Sequence, residues 1–590
     1  MDSARPSTTG FTTQFLTAAS ERLPSPVLGV LPRGPISIIA LTLFLIAIVL
    51  CSLLLGKGRN GRNGRNGRRL EAPALPEIIP FVSNTVDYIR DLPSFCRDVS
   101  TYFSTNNLTI STFRLVFQKV HLVVGPHNTN ALFQPRTSGL SEHQFTVMFV
   151  NAMADPPAED LHQWQLDTSG KLRQPNPGTE HIVGHGRIFI QWANLLNTNL
   201  ARPGMSLELA ELYYARFLPR FRTVGHAHGV EGDQGWEELK IFSWLRKNMT
   251  TAAGTALGGT LFLQMFPEYF SIMNEFELAV LKICFGPPRW MNKAPYLARD
   301  KWLSMNEEVV KLALQKVPDF DKVEGEKWIP ELGHSMMRQA VRWNWETRKM
   351  SLRTTAASFG ALILDQNGNT APSAAWAVMQ VLTAPNSKCL ISRLGAEAEE
   401  ARKEDGRFDI QKLAAMPVFT AVFSEVLRLH TNFNITRIAQ RDIVMSGYDV
   451  KKGSLVQAPT LIAHFDPVWD SHKYPKEEFW PDRMLRRGED GKMHFDMTSG
   501  NRHQYWFPFG GGTIMCPGRI FAKQEICLAL AMFLTEFRDI EAVRWEMHSE
   551  EGNEDGDGDG GEKSGERPAK DVEGFITMLP DRELRVRVRR

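Results

Sequence analysis

The sequence predicts a large globular body behind one N-terminal membrane-spanning helix. The chain has 590 residues, of which 43% are hydrophobic and 10% aromatic, a composition that can form a sizeable core. Residues 36–55 form an unbroken apolar run of the length that crosses a bilayer core as a helix. A net charge of +2 gives no bulk attraction for nucleic acid, so no nucleic-acid partner is expected.

The apolar run divides the N-terminal region into three expected segments: a short lumenal leader (1–35), a transmembrane anchor (36–55) and a basic, proline-rich hinge (56–80). A cleaved signal peptide is the alternative, but a long polar leader precedes the run and no Ala-x-Ala site follows it. The cations between Lys57 and Arg69 are expected to keep the following domain on the cytoplasmic side and to bind membrane lipids. An RNA-binding tail is the other interpretation of the Gly-Arg-Asn repeats in this segment.

Cys516 lies in a loop that fits the pattern Phe-x-x-Gly-x-x-x-Cys-x-Gly, beginning at Phe509 and ending at Gly518. A thiolate can bind iron only if its chain turns sharply, approaches a flat ring closely and shields the sulfur from water. Phe509 is expected to pack beside the sulfur, and backbone N–H groups near Gly518 are expected to stabilise the thiolate. A buried free cysteine in a glycine-rich turn is the alternative.

Three consecutive glycines precede that cysteine. Gly510, Gly511 and Gly512 are all expected to allow positive φ, which a tight approach of the backbone requires. Pro517 and Gly518 should end the loop, with a helix beginning near Arg519. The six cysteines form no Cys-x-x-Cys pair, so neither a disulfide framework nor a zinc site is predicted.

About ninety residues upstream, Glu425 and Arg428 lie three apart on a helical pattern. They share one helical face, where a carboxylate can accept a bidentate guanidinium, and a solvated surface pair is the alternative. Together with the Cys516 loop, this pair identifies a heme-thiolate protein.

The chain resembles the cytochrome P-450 family over nearly everything after the first seventy residues. The resemblance implies a mainly α fold with a smaller β part, forming a catalytic domain over residues 81–590 with a disordered acidic loop at about 550–567. It implies that Arg483 closes a buried ion-pair triad with Glu425 and Arg428. It also implies heme b as cofactor, with Cys516 as axial ligand of the iron and Arg437 bound to a heme propionate.

The most informative departure from the family lies in the central helix. Most relatives carry an acid followed by threonine there, and these side chains organise water and deliver protons. Here Gly368 stands in place of the acid and Asn369 in place of the alcohol. A carboxamide holds water but does not donate a proton as an acid, so Thr370 or Asp365 is a candidate substitute. Asp365 shares a helical face with Asn369, although an exposed surface Asp is equally compatible with the spacing.

The Gly-Asn-x-x-Pro pattern is similar to the branch that contains the sterol hydroxylases of bile-acid synthesis and prostacyclin synthase. Two further departures are the absence of any Trp-x-x-x-Arg and the presence of Ile514 at an often basic position. The branch implies a monooxygenase that uses O2 and electrons from an NADPH-cytochrome reductase. An isomerase or dehydratase of a hydroperoxide or endoperoxide, needing no reductase, is the alternative.

Asn369 and Thr370 are the predicted catalytic pair on the oxygen side. The substrate is expected to be a small lipophilic steroid, terpenoid or polyketide-like molecule, and similarity to enzymes of filamentous fungi suggests secondary-metabolite biosynthesis. The expected location is the endoplasmic reticulum membrane, single-pass, with the catalytic domain cytoplasmic. Near the C-terminus, Thr577 and Met578 resemble the family's last substrate-contacting loop, and alternation over residues 583–589 predicts a strand.

Overall fold

The computed structural model describes residues 70–590 except 80–81, 116–117, 135–137, 225–234, 286–287, 472–473, 548–569, 573 and 575. The chain divides into one unit of residues 1–68 and 77–83, and a second unit of residues 69–76 and 84–590 that contains every feature analysed below. The predicted leader, the anchor, residues 56–69 of the hinge and the acidic loop lie outside the described residues.

The predicted single-pass location in the endoplasmic reticulum membrane is contradicted. Within the described ranges, no helix is both long enough and apolar enough to cross a bilayer. The transmembrane helix and the membrane-lipid partner therefore have no support, and the apolar run of residues 36–55 lies outside the described residues.

The described part of the chain is mainly helical with smaller sheets, as predicted. The helices are α1 Ser83–Arg90, α2 Leu92–Asn106, α3 Pro126–Phe133, α4 His143–Ala154, α5 Ala158–Leu166, α6 Ile188–Leu200, α7 Pro203–Arg222, α8 Ile241–Gly258, α9 Leu261–Met265, α10 Tyr269–Phe285, α11 Ala294–Lys316, α12 Ser335–Arg342, α13 Leu352–Thr383, α14 Ser387–Glu400, α15 Ile410–Ala415, α16 Pro417–His430, α17 Thr460–His464 and α18 Arg519–Thr535. The strands are β1 Leu70–Glu71, β2 Ile110–Leu115, β3 Gln118–Val123, β4 Leu140–Ser141, β5 Trp236–Lys240, β6 Trp328–Ile329, β7 Gly333–His334, β8 Asn434–Ala439, β9 Ile443–Met445, β10 Tyr448–Val450, β11 Leu455–Pro459, β12 Leu485–Arg487, β13 Met493–Phe495, β14 Asp539–Met547, β15 Asp571–Val572, β16 Leu579–Pro580 and β17 Arg582–Arg589.

Helix α13 is the 32-residue centre of the core, packed against α8, α11, α16 and α18. Its N-terminus is capped by Ser351, whose side chain accepts the N–H of Thr354. Asp160 of α5 reinforces this cap by accepting hydrogen bonds from the Ser351 N–H and the Thr354 hydroxyl. The helix continues past Pro372, which lies within it.

A five-stranded sheet in the order β2-β3-β11-β8-β4 places Arg437 near the Cys516 loop. Side chains two apart on a strand share a face, so Ile435 and Arg437 of β8 point the same way. Ile435 lies beside Gly510, since a Cβ on that glycine would be 3.8 Å from its Cδ1. The Arg437 face of β8 is therefore the face turned toward the loop.

The predicted C-terminal strand is confirmed as β17, which pairs antiparallel with both β14 and β5. Val586 and Val588 are buried, while the neighbouring Arg585 and Arg587 are less so, which matches the alternation in the sequence. Glu583 of β17 accepts the N–H groups of Phe242 and Ser243 at the start of α8. The C-terminal sheet is thereby joined to the helical core.

Candidate active site

The Cys516 loop closes through a backbone hydrogen bond in which the Cys516 N–H donates to the Phe509 carbonyl over 2.9 Å. Gly510 and Gly512 have φ values of 71° and 59°, conformations that favour glycine. Gly511 is extended at φ −171°, so the expectation of positive φ at all three glycines is wrong at this one. The helix expected near Arg519 begins at that residue as α18.

Close packing explains why Gly511 is nevertheless a glycine. A Cβ at this position would lie 2.6 Å from the ring of Phe133, the last residue of α3. A Cβ on Gly512 would collide with the carbonyl oxygen of the same Phe133. Since neither position has room for a side chain, α3 holds the loop in one shape.

Cys516 lines a cavity of about 420 Å³. Burial raises the pKa of the thiol, and the N–H groups of Gly518 and Arg519, which donate to the sulfur, only partly offset this effect. A metal ion would remove the remaining cost of ionisation, because a coordinating thiol is deprotonated outright. Phe509 packs with Phe423 and Trp506, at ring-centroid distances of 6.1 and 6.2 Å.

Helix α13 contributes polar residues to the lining of this cavity, namely Asp365, Gln366, Asn369, Thr370 and Ser373. Most of the remaining lining is apolar and includes Phe149, Leu196, Leu362, Leu427, Phe433 and Ile576. Pockets of this size and composition bind small hydrophobic molecules.

Asn369 lines the cavity but is tied to the C-terminal loop. Its Oδ1 accepts the Thr577 N–H over 3.0 Å, and the Thr577 hydroxyl donates to the Asn369 carbonyl over 3.3 Å. The Ser373 hydroxyl lies 3.2 Å from the Thr577 hydroxyl, and the Trp376 indole donates to the Met578 carbonyl over 2.8 Å. Thr577 thus reaches the cavity wall, as expected of the last substrate-contacting loop, whereas Met578 is buried beside it.

Asp365 lies one turn before Asn369, and its side chain is exposed to this cavity. Burial within the cavity raises its pKa to about 6. Among the described residues, no hydrogen bond or ion pair engages its carboxylate, and its charge contributes to the raised pKa of Cys516. The interpretation of Asp365 as an outer-surface residue is therefore wrong.

Arg437 is 1% exposed, yet two of its three guanidinium nitrogens have no hydrogen-bond partner in the described part of the chain. Nη1 donates to the Thr436 carbonyl over 2.9 Å, and Nε lies 4.0 Å from Glu142. Burial lowers the pKa of Arg437, and the charge of Glu142 opposes this shift. A buried cation with unsatisfied donors is costly unless an anion meets it. Arg437 therefore fits the carboxylate of a heme propionate.

Two charged residues near Arg437 were missed in the sequence. Glu142 accepts a hydrogen bond from the Thr513 hydroxyl of the Cys516 loop over 3.1 Å. Lys171 lines a neighbouring cavity of about 270 Å³ with Glu142 and Thr513, and burial lowers its pKa, as does the charge of Arg437 to a smaller extent. The absence of Trp-x-x-x-Arg and the apolar Ile514 were the signals that could have prompted a search for another cation.

The structure brings Glu425, Arg428 and Arg483 together in the core, with all three side chains fully buried. Arg428 donates to both carboxylate oxygens of Glu425 over 2.8 Å, and Arg483 donates to Oε1 over 2.9 Å. The Trp480 N–H adds a bond of 3.1 Å. Burial alone would raise the pKa of Glu425, but the two guanidiniums outweigh it and hold the pKa below its ordinary value.

A cysteine sulfur beneath a long buried helix, with an apolar cavity between them and an unsatisfied arginine near the cysteine loop, defines a heme-thiolate enzyme. The family model described as Cytochrome P450 matches residues 227–551, more than half of the chain. The chain belongs to the cytochrome P450 family and is a monooxygenase. Its cofactor is heme iron, and its electrons come from a redox partner such as an NADPH reductase.

Individual relatives agree with this assignment. The chain is 30% identical over 521 residues to the cytochrome P450 monooxygenase calL of Penicillium decumbens, covering 86% of this chain and 91% of that protein. It is 24% identical over 507 residues to the monooxygenase efuG of Hormonema carpetanum, covering 80% and 84%. It is 32% identical over 186 residues to the human 7-alpha-hydroxycholest-4-en-3-one 12-alpha-hydroxylase, covering 30% and 36%.

The crystal structure of the cytochrome P450DA heme domain superimposes with a TM-score of 0.56. The match covers 88% of this chain and 97% of that one at 14% sequence identity. At this identity the likeness shows the fold alone, and it confirms the predicted fold of the catalytic domain.

Proposed function

We propose that this monooxygenase inserts one oxygen atom of O2 into a lipophilic steroid, terpenoid or polyketide-like substrate in secondary-metabolite biosynthesis, with electrons from an NADPH-cytochrome reductase. The observation that carries the proposal is the cavity that Cys516 lines together with mostly apolar side chains. Its volume of about 420 Å³ suits a compact polycyclic or terpenoid molecule.

In this proposal, Cys516 is the axial ligand and Arg437 binds a propionate. A heme with a thiolate ligand supplies electron density that favours O–O cleavage. Gly518 donates its N–H to the sulfur and Phe509 shields it, so that the thiolate stays out of bulk water. Glu425, Arg428 and Arg483 stabilise the surrounding core and take no part in chemistry.

Asn369 and Thr370 are the proposed oxygen-side residues. Because the Thr577 N–H binds Oδ1 of Asn369, the carboxamide is held in one orientation at the cavity wall. Thr370 is 7% exposed and lines the same wall. Together they would order water and orient the substrate without supplying an acid.

The substrate class is supported by the relatives. The human relative is named as a 12-alpha-hydroxylase of a cholestenone, and the Penicillium decumbens monooxygenase matches most of this chain. The apolar side chains that dominate the lining would exclude highly charged substrates, because burying an unpaired charge is costly.

The test is reduction of the heme by NADPH and a cytochrome reductase under carbon monoxide, with chemical reduction measuring total heme. Ready enzymatic reduction to the thiolate-type carbonyl complex supports the monooxygenase. Chemical but not enzymatic reduction would instead favour the isomerase or dehydratase.

Replacement of the proposed ligand sharpens this test. Cys516→Ser is expected to abolish the thiolate-type carbonyl spectrum, because an alcohol does not replace the thiolate. Cys389→Ser is the matched control, since Cys389 is exposed and outside the cavity. An unchanged spectrum in Cys516→Ser would overturn the ligand assignment.

A further inference from the structure

The acidic residue that most relatives carry at the position of Gly368 has a spatial replacement on another helix. A Cβ on Gly368 would lie 3.5 Å from the carboxyl carbon of Glu277 and 3.6 and 3.7 Å from its two oxygens. Glu277 belongs to α10, so its carboxylate comes from a separate helix to lie within ordinary contact distance of a side chain at 368. We propose that Glu277 delivers the protons consumed in oxygen activation, in place of the acid absent at 368. This inference rests on the proposed monooxygenase function.

The carboxylate of Glu277 is built into the core rather than left at a surface. Its side chain is 1% exposed, and Arg246 of α8 donates to Oε2 over 2.7 Å. Arg246 is oriented by a second hydrogen bond, to Asn274 over 2.9 Å. Oε1 has no hydrogen-bond partner among the described residues. One oxygen is thus anchored, and the other is free to carry or pass a proton.

The proton affinity of Glu277 is compatible with this role. Burial raises the pKa of its carboxyl, and the charge and hydrogen bond of Arg246 only partly offset the shift. An acid whose pKa is raised toward the working pH exchanges protons efficiently. Arg246, with a side chain 16% exposed, connects the carboxylate to the outside of the core, from which the proton can be renewed.

Asp365 and Glu525 line the Cys516 cavity, which Glu277 does not, and these two carboxylates are competing candidates. Asp365 faces the cavity directly, with a pKa raised by burial to about 6. Burial raises the pKa of Glu525, on α18, well above its ordinary value. Glu277 is preferred because its carboxylate lies beside the position of the family's acid, next to the backbone that leads to Asn369 and Thr370.

The overall reaction defines a measurable consequence. One substrate C–H bond and the O–O bond of O2 break while one C–O and three O–H bonds form, giving an alcohol and water from the substrate, O2, two electrons and two protons. Without substrate, O2 takes up four electrons and four protons to give two waters, or two of each to give hydrogen peroxide. O–O cleavage needs a positioned acid, whereas intact peroxide can leave and be protonated by bulk water. Loss of the acid should therefore raise the share of peroxide.

The experiment uses the full chain with NADPH, O2 and a cytochrome reductase as the only reactants. NADPH consumed and hydrogen peroxide released are measured per heme, counted from the thiolate-type carbonyl spectrum. Glu277→Gln is expected to lower the water-forming rate by about 100-fold, the usual contribution of a general acid, and to divert the electrons to peroxide. Glu275→Gln, two residues away and exposed, is the control and should match the parent protein.

Moving the carboxylate back to α13 tests position rather than mere stability. The double substitution Glu277→Ala with Gly368→Asp should recover most of the water-forming rate that Glu277→Ala loses. There is space for this change, because a Cβ at 368 makes only ordinary contacts, and Glu277→Ala would remove even these. A structural role for Glu277 would not be rescued in this way.

Arg246→Leu provides a second measurement that keeps Glu277 in place. Removing the cation should raise the pKa of Glu277 further, so the alkaline limb of the water-forming rate should move to higher pH. The absorption spectrum of the ferric heme, followed against pH, reports any parallel ionisation of Asp365 in the cavity without turnover.

The outcomes are distinguishable. The inference is overturned if Glu277→Gln keeps the parent's peroxide share, if the double substitution gives no recovery, or if Asp365→Asn alone reproduces the loss. If the parent protein shows no NADPH consumption with the reductase, the proposed monooxygenase function fails instead. An unmoved pH profile in Arg246→Leu would also count against Glu277.

Discussion

Two buried glutamate-arginine contacts in this molecule have opposite properties. Glu425 accepts hydrogen bonds from Arg428, Arg483 and the Trp480 N–H, and its pKa lies below the ordinary value. Glu277 accepts one hydrogen bond from Arg246, keeps its other oxygen unpaired, and has a raised pKa. Both side chains are almost inaccessible. The number of donors, not the depth of burial, decides which carboxylate stays ionised and which can hold a proton.

The largest expected effect on stability would come from removing the carboxylate of Glu425, which accepts hydrogen bonds from several buried donors. Glu425→Ala leaves two buried guanidiniums without their counter-charge and should lower the free energy of unfolding by about 3 to 5 kcal/mol. Urea unfolding measures this loss. Glu399→Ala, which removes a surface pair with Arg402, should cost less than about 1 kcal/mol. If the two variants lose similar amounts of unfolding free energy, the buried Glu425 contact is no more stabilising than the exposed pair of Glu399 and Arg402.

Removing a buried hydrogen bond between uncharged groups should lower the free energy of unfolding by an amount between these two values. Asn369→Ala leaves the buried Thr577 N–H without its acceptor and should cost about 1 to 3 kcal/mol. The same unfolding experiment applies, with Asn106→Ala as control, because the Asn106 side chain bonds an exposed carbonyl within its own helix. Equal stability of the two variants would show that the loop at Thr577 does not depend on Asn369.

The smallest expected effect concerns pH. Because the pKa of Glu277 is raised in the folded protein, its contribution to stability is fully present below the unfolded pKa and is lost as pH rises through the folded pKa. Glu277→Gln mimics the protonated form, so its stability relative to the parent should increase from acid toward neutral pH. Unfolding free energies measured across this range test the direction. A constant or falling difference would contradict the raised pKa.

Short-range patterns in the sequence predicted much of the fold and site. Glu425 and Arg428 lie one helical turn apart, and the glycines flanking Cys516 follow from a local turn, so their spacing alone carries the geometry. Arg437 could be placed by resemblance. The unsatisfied nitrogens that support its role could be seen only once β8 was packed beside the loop.

Contacts between distant segments could not be predicted in the same way. Asn369 meets Thr577 across 208 residues, and Glu277 lies beside Gly368 from a separate helix. The extended φ of Gly511 depends on the ring of Phe133, which no local pattern indicates. The predicted membrane location was wrong, since no helix among the described residues is long and apolar enough to cross a membrane. The apolar run on which that prediction depended lies outside the described residues.

The hydrogen bonds between Thr577 and helix α13 make the C-terminal segment part of the wall of the Cys516 cavity. Thr577 and Met578 are held by Asn369, Ser373 and Trp376, and the strand that follows them completes a sheet joined to α8. A premature stop codon upstream of residue 577 would therefore open one wall of the cavity while leaving Cys516 in the product. Recombinant forms of the protein should keep this tail intact and carry affinity tags at the other terminus.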